Sequence, residues 1–223
     1  MEYLDKNSLA VTLDALNDAV FYEHRLSKTN VRMISDWLVS RHGLKGSYAN
    51  MFAPTESDFA QPVVVYTGEK LTSRASKAHI LGEEAYRMLL LLGDKSVKVS
   101  RALKEADEGM FDRLSHEDRT PGMYCCGTCS AAYWRNLSAG GLRSRDRELR
   151  AGLKNLKEHR DGKGRYRRYP FWYTMLALSD IDLPGVRQEI KYATPVLERF
   201  IRREPADRYS VRRHDLAHRL LCR

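Results

Sequence analysis

The sequence has few cysteines and no long hydrophobic run. Only 4 of its 223 residues are cysteines, and Cys125, Cys126 and Cys129 lie within one short stretch. This clustering is a poor framework for disulfides, so we expect a reduced, cytoplasmic protein. The longest aliphatic run, Met88–Leu92, is far shorter than the roughly 20 apolar residues that span a bilayer. We therefore expect no transmembrane segment, and the acidic N-terminal stretch does not resemble a secretory signal.

Acidic residues are scarce in the last third of the chain. Residues 143–223 carry 21 Lys and Arg against 11 Asp and Glu, whereas residues 1–142 carry 17 against 18. The whole basic excess of the protein, +9, therefore lies near the C-terminus. Such a surface either faces solvent or binds a polyanion. Nucleic acid is kept as an alternative partner, although zinc-finger, KH and RNP motifs are absent.

Helical periodicity predicts an all-α fold. The predicted helical segments are 8–26, 30–41, 73–92, 96–114, 124–138, 145–160, 170–179, 186–203 and 207–222. Residues 42–71 form a long connection with a strand-like Val63–Tyr66, and a connection of that length is either functional or contains an unrecognised element. Thr194 and Pro195 predict either the start of a second short helix or a kink within residues 186–203.

A three-residue pattern, Gly-x-Tyr, occurs three times between predicted helices. Its copies are Gly46–Tyr48, Gly122–Tyr124 and Gly164–Tyr166. Glycine lets a chain leave a helix in a backbone geometry closed to other residues, and we expect each tyrosine hydroxyl to face water. A repeat of helix, Gly-x-Tyr and helix predicts stacked antiparallel hairpins.

Two stretches carry a resemblance to a known family. The segments LKNLKEHRDGKGRYRRYPFWYTMLALSDI (153–181) and PGMYCCGTCSAAYWRNLSAGG (121–141) resemble the α/α-toroid repeat proteins, namely protein prenyltransferase β subunits and squalene and other terpenoid cyclases. Residues 73–93 are similar to an inner helix of that family. The resemblance implies a single helical-repeat domain over residues 1–223, with the repeats in 28–203 and a basic amphipathic helix in 204–223.

The resemblance implies binding of an apolar, isoprenoid-like ligand, or of a protein segment, on the inner-helix face. The chain lacks the aspartate-rich motif of the cyclases and the zinc ligands of the prenyltransferases, so we expect the fold without its catalysis. The alternatives are an enzyme acting on an isoprenoid or similar diphosphate, and a basic helical protein associated with nucleic acid. No cofactor is predicted. The chain has room for only about four hairpins, fewer than a closed toroid needs. An incomplete toroid would expose apolar helix edges, which favours a homo-oligomer.

His79 and Glu83 are the candidate catalytic residues. They are four residues apart on one predicted helix face, where they could ligate a metal or act as acid and base. The simpler interpretation is an exposed polar face on which Glu83 pairs with Arg87. The long connection precedes this helix and suggests a lid.

The stretch DGKGRYRRYPFWYT, residues 161–174, contains the candidate ligand-binding residues. These are Arg165, Arg167, Arg168, Tyr166 and Trp172. They could form a strip that stacks on nucleotides and binds phosphate, or the corner of a helical hairpin whose arginines favour an anionic group. We favour the corner, because the Gly-x-Tyr repeat and a proline at a helix start coincide there. The final helix, 209–223, could cover a hairpin, dock on a partner or touch an acidic surface.

Cys126 and Cys129 form a C-x-x-C at a predicted helix start, a position that favours thiolate chemistry. Zinc on this pair is an alternative, and Cys125, His116 and His79 are the conceivable further ligands. A thioredoxin-like redox role would require a βαβ unit that the flanking sequence does not offer. The simpler interpretation is that small residues fill a tightly packed helix contact.

Overall fold

The computed structural model describes residues 3–115, 119–142 and 145–222, and this part is almost entirely α-helical. It contains ten helices and one antiparallel sheet of two short strands. The all-α prediction is therefore confirmed. The chain divides into two compact units, and the predicted single domain over 1–223 stays a prediction. Unit 1 comprises Met1–Tyr66, Lys70–Asp118 and Ala139–Arg143, and unit 2 comprises Thr67–Glu69, Arg119–Ser138 and Ser144–Arg223. No helix in the described ranges has the length and apolar character needed to cross a membrane.

Unit 1 consists of four long helices and a folded connection. Its helices are α1 (Leu9–Phe21), α2 (Lys28–Ser40), α3 (Glu56–Ala60), α4 (Arg74–Leu92) and α5 (Val97–Leu114). Its strands are β1 (Val63–Val64) and β2 (Lys70–Leu71), with Val63 opposite Leu71. Helix α1 packs on α4 and α2 packs on α5. Helix α2 also packs on α4, so α4 contacts each of the other four helices of this unit.

The long connection between α2 and α4 is folded, and its helix α3 was missed by the sequence prediction. Helix α3 is too short for a periodic pattern, and its capping box is made by Thr55 and Asp58. The carboxylate of Asp58 also accepts hydrogen bonds from the Leu9 amide at 2.9 Å and the Ser8 hydroxyl at 2.6 Å. This single side chain therefore caps α3 and anchors it to the start of α1.

Unit 2 consists of two helical hairpins and a final helix. Its helices are α6 (Gly127–Ser138), α7 (Arg145–Glu158), α8 (Phe171–Asp180), α9 (Pro184–Ile201) and α10 (Arg208–Leu221). Helix α6 packs on α8, α7 packs on α9, and α10 packs on both α8 and α9. The final helix thus covers the α8–α9 hairpin, which is the first of its three predicted roles.

Three helices are buried on nearly every side. Every residue is buried in the runs Ala78–Leu89 of α4, Cys129–Leu137 of α6 and Phe171–Leu178 of α8. We call α4, α6 and α8 the inner helices. Helices α5, α7, α9 and α10 bury one face only, as helices on the outside of a layered structure do.

Pro195 neither ends α9 nor starts a new helix. The helix runs without a break from Pro184 to Ile201, so the predicted second helix is wrong. Thr194 does not cap a helix, because its hydroxyl donates to the Ile190 carbonyl at 3.1 Å. Packing of α9 on its three neighbours outweighs the hydrogen bond that proline removes.

The three Gly-x-Tyr turns share their glycine geometry but not their tyrosine settings. Gly46, Gly122 and Gly164 have φ of +94°, +75° and +86°, so the prediction that each turn requires glycine is confirmed. Tyr48 and Tyr124 are half-buried. Tyr166 is 5% exposed and its hydroxyl donates to the carbonyl of Glu189 at 3.1 Å. The expectation of a water-facing hydroxyl is therefore wrong at Tyr166, because α9 lies over it.

Candidate functional site

The arginine corner of unit 2 is the first candidate site. Arg165, Arg167 and Arg168 are all exposed, and they precede the first turn of α8. In the described part of the chain none of the three forms an ion pair. The guanidinium of Arg165 lies 4.7 Å from the ring centroid of Phe171. The sequence predicted this cluster correctly as an exposed basic corner.

The aromatic residues of the same stretch are buried. Tyr166, Tyr169 and Trp172 are 5%, 6% and 7% exposed. The ring of Trp172 packs against Phe200, with centroids 4.4 Å apart. These rings therefore do not present faces on which nucleotides could stack, and the corner interpretation fits their positions.

A carboxylate holds the backbone of the corner in place. Asp161 accepts hydrogen bonds from the amides of Lys163 at 2.7 Å and Arg165 at 3.0 Å, and from the Tyr192 hydroxyl at 2.9 Å. The Lys163 and Arg165 amides, with the Tyr192 hydroxyl, lower the pKa of this carboxyl. Arg168 has a left-handed φ of +67°, which is unusual for a residue with a side chain. The arginines therefore stand on a fixed turn.

Tyr166 joins the corner to α9. Its hydroxyl lies 3.1 Å from a carboxylate oxygen of Glu189, and that carboxylate also accepts two hydrogen bonds from Arg160 at 2.9 and 3.0 Å. Burial, and then the charge of Glu189, raise the pKa of Tyr166 well above its usual value. Tyr166 is thus a neutral hydrogen-bond donor that fixes the corner.

The buried polar face of inner helix α4, in unit 1, is the second candidate site. His79, Glu83, Glu84 and Arg87 are 3%, 0%, 6% and 4% exposed. The sequence-based interpretation of an exposed polar face is therefore wrong. Arg87 lies 3.9 Å from Glu84, its i−3 neighbour. Burial of charged groups is costly, so such a set on an inner helix marks a structural network or a functional site.

His79 and Glu83 face each other within this set. The Nε2 of His79 lies 3.5 Å from a carboxylate oxygen of Glu83. The ring of Tyr48 stacks on the imidazole, with centroids 4.2 Å apart and planes 21° apart. The sequence therefore identified a true pair, and the long connection does cover it. An imidazole and a carboxylate at this distance have the composition of an acid–base pair.

Close backbone contacts hold Tyr48 in position. Ala49 and Asn50, which follow it, have φ of +49° and +55°. A Cβ at Gly109 of α5 would lie 2.1 Å from the Ala49 carbonyl oxygen, so only glycine lets this turn approach α5. Neither Gly109 nor the left-handed Ala49 was recognised from the sequence.

Glu84 and Arg87 belong to a network that ties α4 to α1. The Asn17 amide nitrogen donates to Glu84 at 3.3 Å, and Arg87 donates to the Asn17 amide oxygen at 3.3 Å. Asn17 itself donates to the Leu13 carbonyl at 2.9 Å. These bonds are the ordinary way to satisfy buried polar groups, and they give Glu84 and Arg87 a structural role.

The cysteine pair of unit 2 lies at the start of α6. The sulfurs of Cys126 and Cys129 are 3.5 Å apart. A Cβ at Gly127 would lie 2.2 Å from the Arg168 carbonyl oxygen, which confirms that small residues permit a close contact here. Zinc on this pair stays a prediction, and His116 lies outside the described residues.

A further buried network, around Glu148 of α7, was missed by the sequence prediction. Glu148 accepts hydrogen bonds from the Arg119 guanidinium at 2.9 Å, the Gly122 amide at 2.8 Å and the Tyr133 hydroxyl at 3.3 Å. Burial would raise the pKa of Glu148, but these donors outweigh it and lower the pKa. The network holds the second Gly-x-Tyr turn against α7.

A surface groove of unit 1 was also missed. It has a volume of about 710 Å³ and is lined by Lys6, Lys28, Thr29, Arg32, Met33, Asp36 and Trp37. Its apolar and cationic lining has the same character as the predicted ligand contacts, but it contains none of the predicted site residues.

The chain matches no protein-family model, no curated protein and no solved structure.

Proposed function

We propose that this chain is a noncatalytic binding protein built from helical hairpins of the α/α-toroid kind. Its ligand would have an anionic group and an apolar, isoprenoid-like body. The first support is the packing order of unit 2, where α6 contacts α8, α7 contacts α9, and the pairs α6–α7 and α8–α9 are each in contact. Stacked αα repeats have this order.

The observation that carries the proposal is the uncompensated charge of the arginine corner. Arg160, Arg119 and Arg135 of unit 2 each pair with a carboxylate, namely Glu189, Glu148 and Asp180. The exposed Arg165, Arg167 and Arg168 are not so paired in the described part of the chain. Arginine forks suit the oxygens of phosphate and carboxylate groups, and a fixed turn lowers the ordering cost of binding.

The apolar part of the ligand would be held by inner helices α6 and α8, as the family resemblance implies. Tyr166 and Trp172 would act as positioning residues, because both are buried. A protein segment with an acidic group beside apolar side chains has the same chemistry and is the alternative occupant.

A titration with three probes separates the contributions to binding. Dansyl-labelled farnesyl diphosphate carries both parts of the ligand, farnesol lacks the anion and inorganic pyrophosphate lacks the apolar body. We expect saturable binding of the first, and at least tenfold weaker binding of the other two, a difference of about 1.4 kcal/mol. Equal binding of pyrophosphate and the farnesyl probe would contradict an apolar site.

Native mass spectrometry of the purified protein complements this titration. It reports a co-purifying ligand, a bound zinc ion and the number of subunits in one spectrum. Absence of stoichiometric zinc would exclude Cys126 and Cys129 as zinc ligands, and a dimer or larger species would confirm the predicted self-association.

The enzyme alternative has a specific observation in its favour, the buried His79–Glu83 pair. An enzyme that uses this pair would act on an isoprenoid or similar diphosphate. Glu83→Gln, which keeps the side-chain shape, would then reduce turnover by at least a hundredfold. Absence of turnover in the native protein would exclude the enzyme alternative and would be consistent with the binding function.

The nucleic-acid alternative rests only on the basic last third of the chain. Because the aromatic rings of the corner are buried, phosphate contacts would have to supply the affinity. Binding of a single-stranded oligonucleotide would then fall steeply with salt, and tight binding that is independent of salt would exclude this mode.

A further inference from the structure

The two cysteines of the Cys126–Cys129 pair differ in solvent exposure, as the cysteines of a dithiol that exchanges with other disulfides do. Cys126 is exposed, whereas Cys129 is 4% exposed. Their sulfurs are 3.5 Å apart, so they need to approach by only about 1.5 Å to reach a disulfide length of about 2.05 Å. The pair lies in unit 2 and is independent of the arginine corner's proposed ligand.

The backbone holds the two cysteines in this relationship. The carbonyl of Cys126 accepts a hydrogen bond from the Ser130 amide at 2.8 Å, so Cys126 caps α6 and Cys129 lies in its first turn. Gly127 lies against the Arg168 carbonyl, where a Cβ would be 2.2 Å from the oxygen. The start of α6 is therefore fixed by packing, and the sulfurs face each other on a rigid turn.

We propose that Cys126 and Cys129 form a reversible redox pair that exchanges with a small-molecule disulfide such as oxidised glutathione. The Cys126 thiolate attacks the glutathione disulfide, forms a mixed disulfide and releases one glutathione thiolate. The Cys129 thiolate then attacks the Cys126 sulfur and releases the second. The pair loses two electrons, the glutathione disulfide gains them, and the two cysteine protons end on the two glutathione thiols.

The roles follow from accessibility. Thiol–disulfide exchange requires the attacking sulfur to reach its target, and only Cys126 of the pair is exposed. Cys129 is buried beside it, with its sulfur 3.5 Å from the Cys126 sulfur. Cys126 is therefore the attacking residue and Cys129 the resolving one.

Mass spectrometry of one tryptic peptide tests this assignment. In a Cys125→Ser background, the peptide Thr120–Arg135 contains only Cys126 and Cys129, while Cys222 lies in a separate peptide. The folded protein is equilibrated with reduced and oxidised glutathione, with a chelator present and air excluded, and is then quenched with acid. We expect Thr120–Arg135 to lose two hydrogen atoms, about 2 Da, and to carry no glutathione.

Two single variants in the same background separate the roles. Cys129→Ser should accumulate glutathione on Cys126, at least tenfold above the level in the background protein, because resolution is lost. Cys126→Ser should leave Cys129 unmodified. Circular dichroism confirms that each variant is folded.

The exposed Cys222 is an internal control for the oxidising conditions. The proposal is overturned if Cys222 takes up glutathione while Thr120–Arg135 stays reduced, or if Cys126 retains glutathione although Cys129 is present. It is also overturned if the pair reacts only after removal of a stoichiometric zinc ion, since the cysteines would then be metal ligands.

Discussion

The ring of Tyr48 lies over the imidazole of His79, with centroids 4.2 Å apart and planes 21° apart. Tyr48 belongs to the long connection, whereas His79 belongs to inner helix α4. Their stacking makes the connection part of the polar site on α4. The guanidinium of Arg113, on α5, lies 5.8 Å from the Tyr48 ring centroid.

Removal of the Tyr48 ring tests how much this stacking stabilises unit 1. Tyr48→Ala should lower the free energy of unfolding by about 2 kcal/mol, because both the ring contact and its buried area are lost. Tyr48→Phe keeps the ring and should change the free energy of unfolding by less than about 0.5 kcal/mol. Urea denaturation measures both, and equal losses would show that the hydroxyl, not the stacking, matters.

Gly127→Ala tests the close contact at the start of α6. The added Cβ would lie 2.2 Å from the Arg168 carbonyl oxygen and 2.9 Å from the Tyr169 Cα. We therefore expect overpacking to lower the free energy of unfolding by about 3 kcal/mol. Gly162→Ala is the matched control, because Gly162 has a φ of +82° but no atom near its Cβ position. Gly162→Ala should lower the free energy of unfolding only by the backbone strain of a left-handed alanine, about 1 kcal/mol. Thermal unfolding that ranks the two variants equally would exclude the contact.

Glu148 should make stability depend on acid pH. Burial alone would raise the pKa of Glu148, but hydrogen bonds from Arg119, Gly122 and Tyr133 lower it by more, so the net shift is downward. A lowered folded-state pKa gives stability that is present above the unfolded value, about 4.3, and is lost as pH falls through the folded value. Glu148→Gln should therefore be less stable than the native protein at pH 7, and the difference should shrink below about pH 4.3. Glu158→Gln, on the exposed end of the same helix, should show no such convergence in urea midpoints.

Tyr166 should have the opposite dependence at alkaline pH. Its folded-state pKa is raised by burial and by Glu189, so its stabilising effect is present below the unfolded value of about 10 and is lost as pH rises above it. Tyr166→Phe should lower the free energy of unfolding by about 1 kcal/mol at pH 7. The difference in the free energy of unfolding between this variant and the native protein should become smaller above about pH 10. Tyr209→Phe is the control, and a gap that stays constant with pH would contradict the assigned hydrogen bonds.

The sequence predicted the long helices well, because each one has apolar residues at helical spacing. Ser73 and Gly93 cap α4 where the pattern begins and ends. Helix α3 and strand β2 were missed because they are too short to show a period, whereas β1 lies within the predicted strand-like Val63–Tyr66. Of the two alternatives predicted at Pro195, the second short helix was wrong, because local propensity is weak against the packing of α9 on its neighbours.

The site was predicted in part. His79, Glu83 and the arginine corner were chosen from spacing and charge, and the structure places each pair or cluster together within its own unit. Burial was predicted wrongly for the polar residues of α4. Spacing shows which residues share a face of a helix but not what covers that face, so this face was expected to be exposed. The Glu148 network joins residues far apart in sequence, and no local pattern contains such a relation.

The binding proposal is tested most directly by removing the charge of the arginine corner. Dansyl-labelled farnesyl diphosphate is titrated into the native protein, into Arg165→Ala/Arg167→Ala/Arg168→Ala, and into the matched control Arg199→Ala/Arg202→Ala/Arg203→Ala, whose arginines are also exposed. A further control, Arg32→Ala/Met33→Ala, reports binding in the groove of unit 1. We predict affinity at least tenfold weaker in the corner variant, a loss of about 1.4 kcal/mol or more, and unchanged affinity in both controls. Equal affinity in the corner variant and the native protein, or a loss confined to the groove variant, would contradict the account.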